Sequence, residues 1–214
     1  MTPVANECVW TIIVAAGSGS RFGGPKQFVP LGDRRVLDWS RETAALVSAG
    51  VVTVLPAEYA DAEGGVPGGT TRSESVRRGL AAVPAEATII CVHDAARPFA
   101  SKHLFSEVVA HVAAGADGAI PALPVVDTIK QVDDRNEVVS TPDRSRLVAV
   151  QTPQAFRAEV LRRAHADHGD GTDDSALVEA VGGKVVVVPG ETLNRKLTTP
   201  EDMEWARATV LTEI

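Results

Sequence analysis

Aromatic side chains make up only 4% of this 214-residue sequence, and tyrosine occurs once. Basic residues are also outnumbered, 21 Lys and Arg against 28 Asp and Glu, for a net charge of −7. These shortages exclude a nucleic-acid partner gripped by a basic face or by stacking platforms. A free nucleotide needs only a local cluster of positive charge and stays open. Cysteine is nearly missing: Cys8 and Cys91 lie far apart, each on or beside an apolar strand-like run. That excludes a disulfide framework and a Cys-x-x-Cys metal site, and leaves two reduced, buried thiols as the expectation. No apolar run approaches a bilayer span, and the opening residues carry no basic segment followed by an apolar stretch. The expectation is therefore no membrane partner and a cytoplasmic location.

What the sequence does have is a hydrophobic content of 44%, enough for a sizeable core, in a length ordinary for one α/β unit covering residues 1–214. Apolar β-branched runs read as strands at Val9 to Val14, Val51 to Leu55, Thr88 to Val92, Gly118 to Leu123 and Lys184 to Val188. Helical spacing falls between them, at Arg35 to Ala49, from Ser73 to just before Pro84, Lys102 to Ala114 after an N-cap at Ser101, Arg157 to His165, and Ser175 to Val181. A last helix starts at Thr199 as N-cap with Pro200 in the first position and Glu201 and Asp202 in the first turn. Pro56 to Thr71 shows no periodicity and reads as loop. Such alternation implies an α/β fold, a mainly parallel sheet with helices on both faces. One segment breaks it: Thr128 to Val132 and Glu137 to Thr141 read as an inserted β-hairpin arm, about residues 125–150. An isolated hairpin is marginal in water, so the arm is expected to pack on something, a second copy of the chain first among candidates.

The chemistry gathers after the first strand, in Ala15-Ala16-Gly17-Ser18-Gly19-Ser20-Arg21 and Pro25-Lys26-Gln27. Gly17, Gly19, Gly23 and Gly24 let backbone N–H groups approach an anion, and Arg21 and Lys26 add fixed positive charge. The spacing is neither a Walker A loop nor a dinucleotide fingerprint, since Phe22 stands where a third small residue belongs. A Gly-x-Gly alone equally fits an ordinary βα turn. After the third strand comes His93-Asp94-Ala95-Ala96-Arg97-Pro98. Ligands sit beyond the carboxyl ends of strands in open parallel sheets, which points Asp94 and Arg97 at the same crevice. Asp94 is either a turn cap or the one hard carboxylate that Mg²⁺ wants when phosphates and waters fill its other positions. His93 reads as a packed, hydrogen-bonded histidine. Gly68-Gly69-Thr70-Thr71-Arg72-Ser73-Glu74-Ser75 sets glycines before a helix whose first turn offers Ser75, suited to reading a base. Arg195 and Lys196, taken alone, read as a solvated loop.

Together with Gln151-Thr152-Pro153-Gln154-Ala155-Phe156 and Thr172-Asp173-Asp174-Ser175, these motifs resemble the 2-C-methyl-D-erythritol 4-phosphate cytidylyltransferases of the alditol-phosphate cytidylyltransferase family, from about Trp10 to the C-terminus. The resemblance implies a Rossmann-like homodimer, joined through the hairpin arm, that transfers CMP from CTP to a polyol phosphate. It implies that Ala15, Ala16, Gly17, Gly69 and Ser75 bind CTP and that Asp94 holds Mg²⁺. Arg21 and Lys26 are implied to stabilise the transition state at the α-phosphate. Arg97, Thr152 and Lys196 are implied to position methylerythritol phosphate, with Thr128 and Arg144 reaching in from the partner's arm. A phosphate monoester, with a second pKa of about 6, is already mostly dianionic. It needs charge neutralisation and alignment rather than a general base, which agrees with an inventory of Arg, Lys and one Asp. Two features depart from the family pattern: Pro56 to Pro67 is short, which puts a peripheral strand or helix in question, and the loop between Arg21 and Lys26 is compact. A ribitol-5-phosphate cytidylyltransferase and a non-catalytic nucleotide-binding relative are the alternatives.

Overall fold

The computed structural model describes residues 7–17, 19, 22–166 and 169–213. The run Val9–Val14 forms β1 at the centre of the sheet, because its β-branched side chains are covered from both sides: Ile12 packs into one apolar cluster and Ile13 into another. A two-residue ribbon follows, β2 (Pro30–Leu31) with β3 (Arg34–Arg35), and then α1 (Val36–Ala45) and β4 (Gly50–Leu55). Next come α2 (Ala57–Ala60), β5 (Val66–Pro67), α3 (Arg72–Ala82), β6 (Ile89–Asp94), α4 (Lys102–Ala113) and β7 (Gly118–Pro124). The arm carries β8 (Gln131–Val132) and β9 (Val138–Ser140); after it stand β10 (Val148–Val150), β11 (Gln154–Arg157), α5 (Ala158–Ala166), α6 (Asp174–Ala180), β12 (Val185–Pro189) and α7 (Pro200–Glu213).

The main sheet has the order β10-β7-β11-β6-β1-β4-β5, with β12 also paired to β7. β1 runs parallel to β4 and β6 in a register that aligns Val14 with Val54 and Asp94, so three strands end at one edge. β10 and β11 both run antiparallel to β7, and the Gln151 N–H donates to the Pro121 carbonyl between them at 2.7 Å. They are two pieces of one interrupted strand. α1 and α4 cover one face of the sheet; α3 and α5 cover the other. Gly79 lets α3 lie close, since a Cβ there would stand 2.7 Å from Cγ2 of Ile12. A third cluster of Leu31, Val36, Phe99, Leu197 and Met203 seats α7 beside the strand ends.

Several sequence expectations need correction. Residues 56–71 are not all loop: they hold the single turn of α2 and the edge strand β5. Both were too short to leave a periodic signal, and together they supply the peripheral elements that the short segment put in question. β10 and β11 were missed, as was the ribbon of β2 and β3. The arm's strands are shorter than expected, with Asn136 taking φ 60° in the turn. Among the described residues no helix is long and apolar enough to cross a membrane.

Candidate active site

Beyond the ends of β1, β4 and β6 lies a cavity of about 540 Å³, a size that suits a small-molecule ligand. Ala15, Ala16, Gly17, Lys26, Gly69, Ser75, Asp94 and Lys196 all line it, so eight of the thirteen residues assigned from the sequence meet in one place. The backbone of Ala15 is fixed by its N–H to the Val54 carbonyl at 2.8 Å, and that of Ala95 by its N–H to the Val14 carbonyl at 3.0 Å. Gly19 turns the loop at φ 66°, where its carbonyl accepts the N–H groups of Phe22, Gly23 and Gly24 at 2.8–3.2 Å. Gly17 and Gly19 line the cavity, whereas Gly23 and Gly24 spend their amides closing the loop. Arg21 lies outside the described residues. Lys26 opens a short 3-10 turn, and its Nζ donates to the Leu197 carbonyl at 2.6 Å, which ties the loop to the chain ahead of α7.

Thr71 N-caps α3 by accepting the Glu74 N–H at 3.1 Å. Ser75, one turn in, is buried; its hydroxyl donates to the Thr71 carbonyl at 3.0 Å and accepts the Gly69 N–H at 3.1 Å. Its proton is therefore spent within the loop, and Ser75 shapes the path of Gly69 beside the cavity.

Asp94 is the hub. Its Oδ2 lies 2.6 Å from Lys196 Nζ, and its Oδ1 accepts from Arg72 Nε at 3.2 Å. Burial alone would raise its pKa, but the Arg72 and Lys196 cations hold the carboxyl well below the ordinary range. Asp94 is thus ionised although only 8% exposed. Its backbone N–H donates to Thr152 Oγ1 at 3.0 Å, and that hydroxyl lies 3.1 Å from His93 Nδ1. His93 Nε2 faces the Arg97 carbonyl at 3.2 Å. A carbonyl only accepts, so Nε2 carries the proton, Nδ1 is bare, and Thr152 must donate to it. Burial keeps His93 neutral, its pKa pushed down to about 4. His93 is the packed histidine the sequence suggested, and Thr152 is a buried brace of the Asp94 turn, off the cavity lining. Arg97 also stands off the lining, its guanidinium donating to the Asn194 carbonyl at 2.7 Å and the Val150 carbonyl at 3.4 Å. Thr128 and Arg144 are exposed on the arm, where Arg144 donates to the Val126 carbonyl. Arg195, as expected, stays at the surface, on Asp202 and over the Trp205 ring. Lys196 is exposed too, but its ammonium is drawn to Asp94.

The sequence model of the IspD family, 2-C-methyl-D-erythritol 4-phosphate cytidylyltransferase, matches residues 9–212. The chain belongs to this cytidylyltransferase family. Among its relatives is a 2-C-methyl-D-erythritol 4-phosphate cytidylyltransferase of Carboxydothermus hydrogenoformans, 44% identical over 94% of this chain and 94% of the relative. Another, of the same name, from Saccharopolyspora erythraea, is 43% identical over 94% of this chain and 98% of its own. In three dimensions the chain resembles the 4-diphosphocytidyl-2C-methyl-D-erythritol synthase of Anaerococcus prevotii, with a TM-score of 0.85, 32% identity, and coverage of 96% of this chain and 99% of that one.

Among the other residues lining the site of this cytidylyltransferase, Arg72 and Gln27 carry polar groups but were not assigned from the sequence. Arg72 bonds Asp94, and Gln27 is buried with no hydrogen-bond partner at Nε2 among the described residues. Both stood in quoted motifs. The sequence assigns Arg72 no role, because its two carboxylate partners, Asp94 on β6 and Asp174 on α6, are remote in sequence.

Proposed function

We propose that this chain transfers CMP from CTP to 2-C-methyl-D-erythritol 4-phosphate, releasing pyrophosphate and forming 4-diphosphocytidyl-2-C-methyl-D-erythritol, in the cytoplasm. The observation that carries this reading is the pair of Arg72 and Lys196 on one ionised carboxylate, in a cavity that Lys26 and a glycine-turned loop also line. A phosphate oxygen of the acceptor attacks the α-phosphorus, the bond from that phosphorus to the bridging oxygen of pyrophosphate breaks, and no proton need be removed. Lys26, with Arg21, offsets the charge that builds on the α-phosphate oxygens. Lys196 and Arg97 hold the acceptor phosphate, and the Gly69 backbone, shaped by Ser75, borders the base.

The donor set fits Mg²⁺: a single buried, ionised carboxylate is what that ion takes from a protein when phosphates supply the rest. Bound there through Asp94, Mg²⁺ would neutralise charge on the nucleotide phosphates.

The chain acts as a homodimer in this reading. The exposed apolar side chains of the arm and its root, Val126, Val132, Val138, Val139 and Val148, are each at least 47% exposed. They form an unpartnered surface that a second copy would cover, with Thr128 and Arg144 delivered to the neighbouring cavity.

Pyrophosphate release should be rapid with CTP and methylerythritol phosphate, and much slower with UTP, with ATP, or with ribitol phosphate as acceptor. Asp94→Asn should lose most of the rate at low Mg²⁺. Equal turnover of the three nucleotides, or a near wild-type rate for the variant, would overturn the assignment.

A further inference from the structure

The motif Thr172-Asp173-Asp174-Ser175 contains two carboxylates with different work. Asp173 is the N-cap of α6: it accepts the Ala176 N–H at 2.9 Å, and also the Ser175 hydroxyl and Gln154 Nε2. Asp174, the first residue of the helix, caps nothing. It is only 1% exposed, and a buried carboxylate is costly unless paired. Its Oδ2 accepts from Arg72 Nη1 at 2.7 Å and its Oδ1 lies 3.0 Å from His165 Nε2, itself buried. The opposite edge of the Arg72 fork, Nε and Nη2, lies 3.2 Å from Oδ1 of Asp94 by both nitrogens.

A guanidinium is planar and its donors are fixed relative to one another. With Nη1 held by Asp174, the direction in which Nε and Nη2 point is set as well. They occupy Oδ1 of Asp94 and leave Oδ2 toward Lys196 and the cavity. The Asp94 carboxylate could otherwise turn about its side-chain bonds and present either oxygen. Nothing in the reaction as described calls for Asp174, which stands one residue removed from the site.

We propose that Asp174 is a positioning residue for this cytidylyltransferase: by pinning Arg72 from behind, it holds Arg72 off Oδ2 of Asp94, the oxygen that meets Lys196 at the cavity and that the metal of the metal–nucleotide complex would take in exchange for that ammonium. This rests on the reading of Asp94 as the metal carboxylate. Without the Asp174 charge, Arg72 has a single carboxylate left to pair with, settles fully on Asp94, and competes with the divalent ion. His165 completes the arrangement by donating to the second oxygen of Asp174, which fixes that carboxylate in turn.

The test is binding of Mn²⁺, followed by its electron paramagnetic resonance signal in the presence of CTP, alongside cytidylyl transfer. Partners behind a metal ligand typically change metal affinity about 10- to 100-fold. Asp174→Asn should weaken Mn²⁺ binding by that order and raise the Mg²⁺ needed for half-maximal activity by a similar factor, while the KM for the acceptor stays within about twofold. In an Arg72→Gln background, Asp174→Asn should weaken Mn²⁺ no further, because its effect passes through Arg72. Unchanged Mn²⁺ affinity in a folded Asp174→Asn protein, or additive losses in the double variant, overturns the proposal. If Asp174→Asn does not fold, Arg72→Lys, whose single ammonium cannot span both carboxylates, must show the same weakening; wild-type affinity there also overturns it. Failure of the wild type to bind Mn²⁺ with CTP would instead strike the reading of Asp94 itself.

Discussion

Thr152 shows how one buried hydroxyl can matter more than its place in a motif suggests. It accepts the Asp94 N–H and donates to His93 Nδ1, so both of its neighbours depend on it. Thr152→Val keeps the shape and removes both bonds, stranding a buried donor and a buried acceptor, at a cost of about 1–3 kcal/mol for each group left unpaired. Chemical denaturation should show that loss, together with a fall in kcat, and Thr152→Ser should restore most of both. A residue whose only role were to touch substrate would raise KM and leave stability alone. The sequence could place Thr152 near the site, because Gln151 to Phe156 is a recognisable string, but not say which groups its hydroxyl met. That required β11 to lie beside β6, and β11 was hidden within the motif. Arg72 escaped for a related reason: its partners Asp94 and Asp174 are 22 and 102 residues away.

Among the elements, the strand, loop and helix from Val9 onward were legible because their signals are local: a β-branched run, glycines, then a 3.6-residue spacing. The start of α7 was equally legible, and its details go further than Thr199 alone. Asp202 Oδ2 accepts the N–H groups of Thr198 and Thr199 at 2.7 and 2.9 Å, while Thr199 Oγ1 faces the Asp202 N–H at 3.4 Å, a reciprocal cap. Burial would raise the Asp202 carboxyl, but these backbone donors and Arg195 hold it below its usual value of 3.8. The sign follows. The unfolded chain binds this proton more readily, so the stabilisation is complete above about pH 4 and disappears as pH falls through the lowered folded value. Asp202→Asn should therefore cost about 1 kcal/mol at neutral pH, and urea melts of wild type and variant should converge on acidification. A gap that persisted undiminished at low pH would remove the carboxylate charge from the explanation. By contrast α2 and β5, four and two residues long, carry too little sequence to show a period, and contacts with β4 define them.

For the whole molecule the arm decides most. Its apolar side chains and Arg144 have their proposed use only across a two-fold interface. Arg144→Ala and Lys26→Ala should each be nearly inactive alone, and mixing them under subunit exchange should regain activity, since one composite site in the heterodimer then has an intact loop and an intact arm. Heterodimers shown to form without any gain would assign Arg144 to its own subunit. The interrupted strand gives the proposed assembly a mechanical side. β10 is the root of the arm; one residue past it, Gln151 donates to the Glu191 and Asn194 carbonyls, and the next residue, Thr152, holds the Asp94 amide. The arm and the Asp94 carboxylate hang from one short length of backbone. A chain whose arm has lost its partner would slacken that tether, so hydrogen exchange at the Asp94 amide should quicken on dilution into monomers while Ile12 in β1 stays protected. Assembly would then work as a safety catch, leaving a lone subunit folded but disarmed.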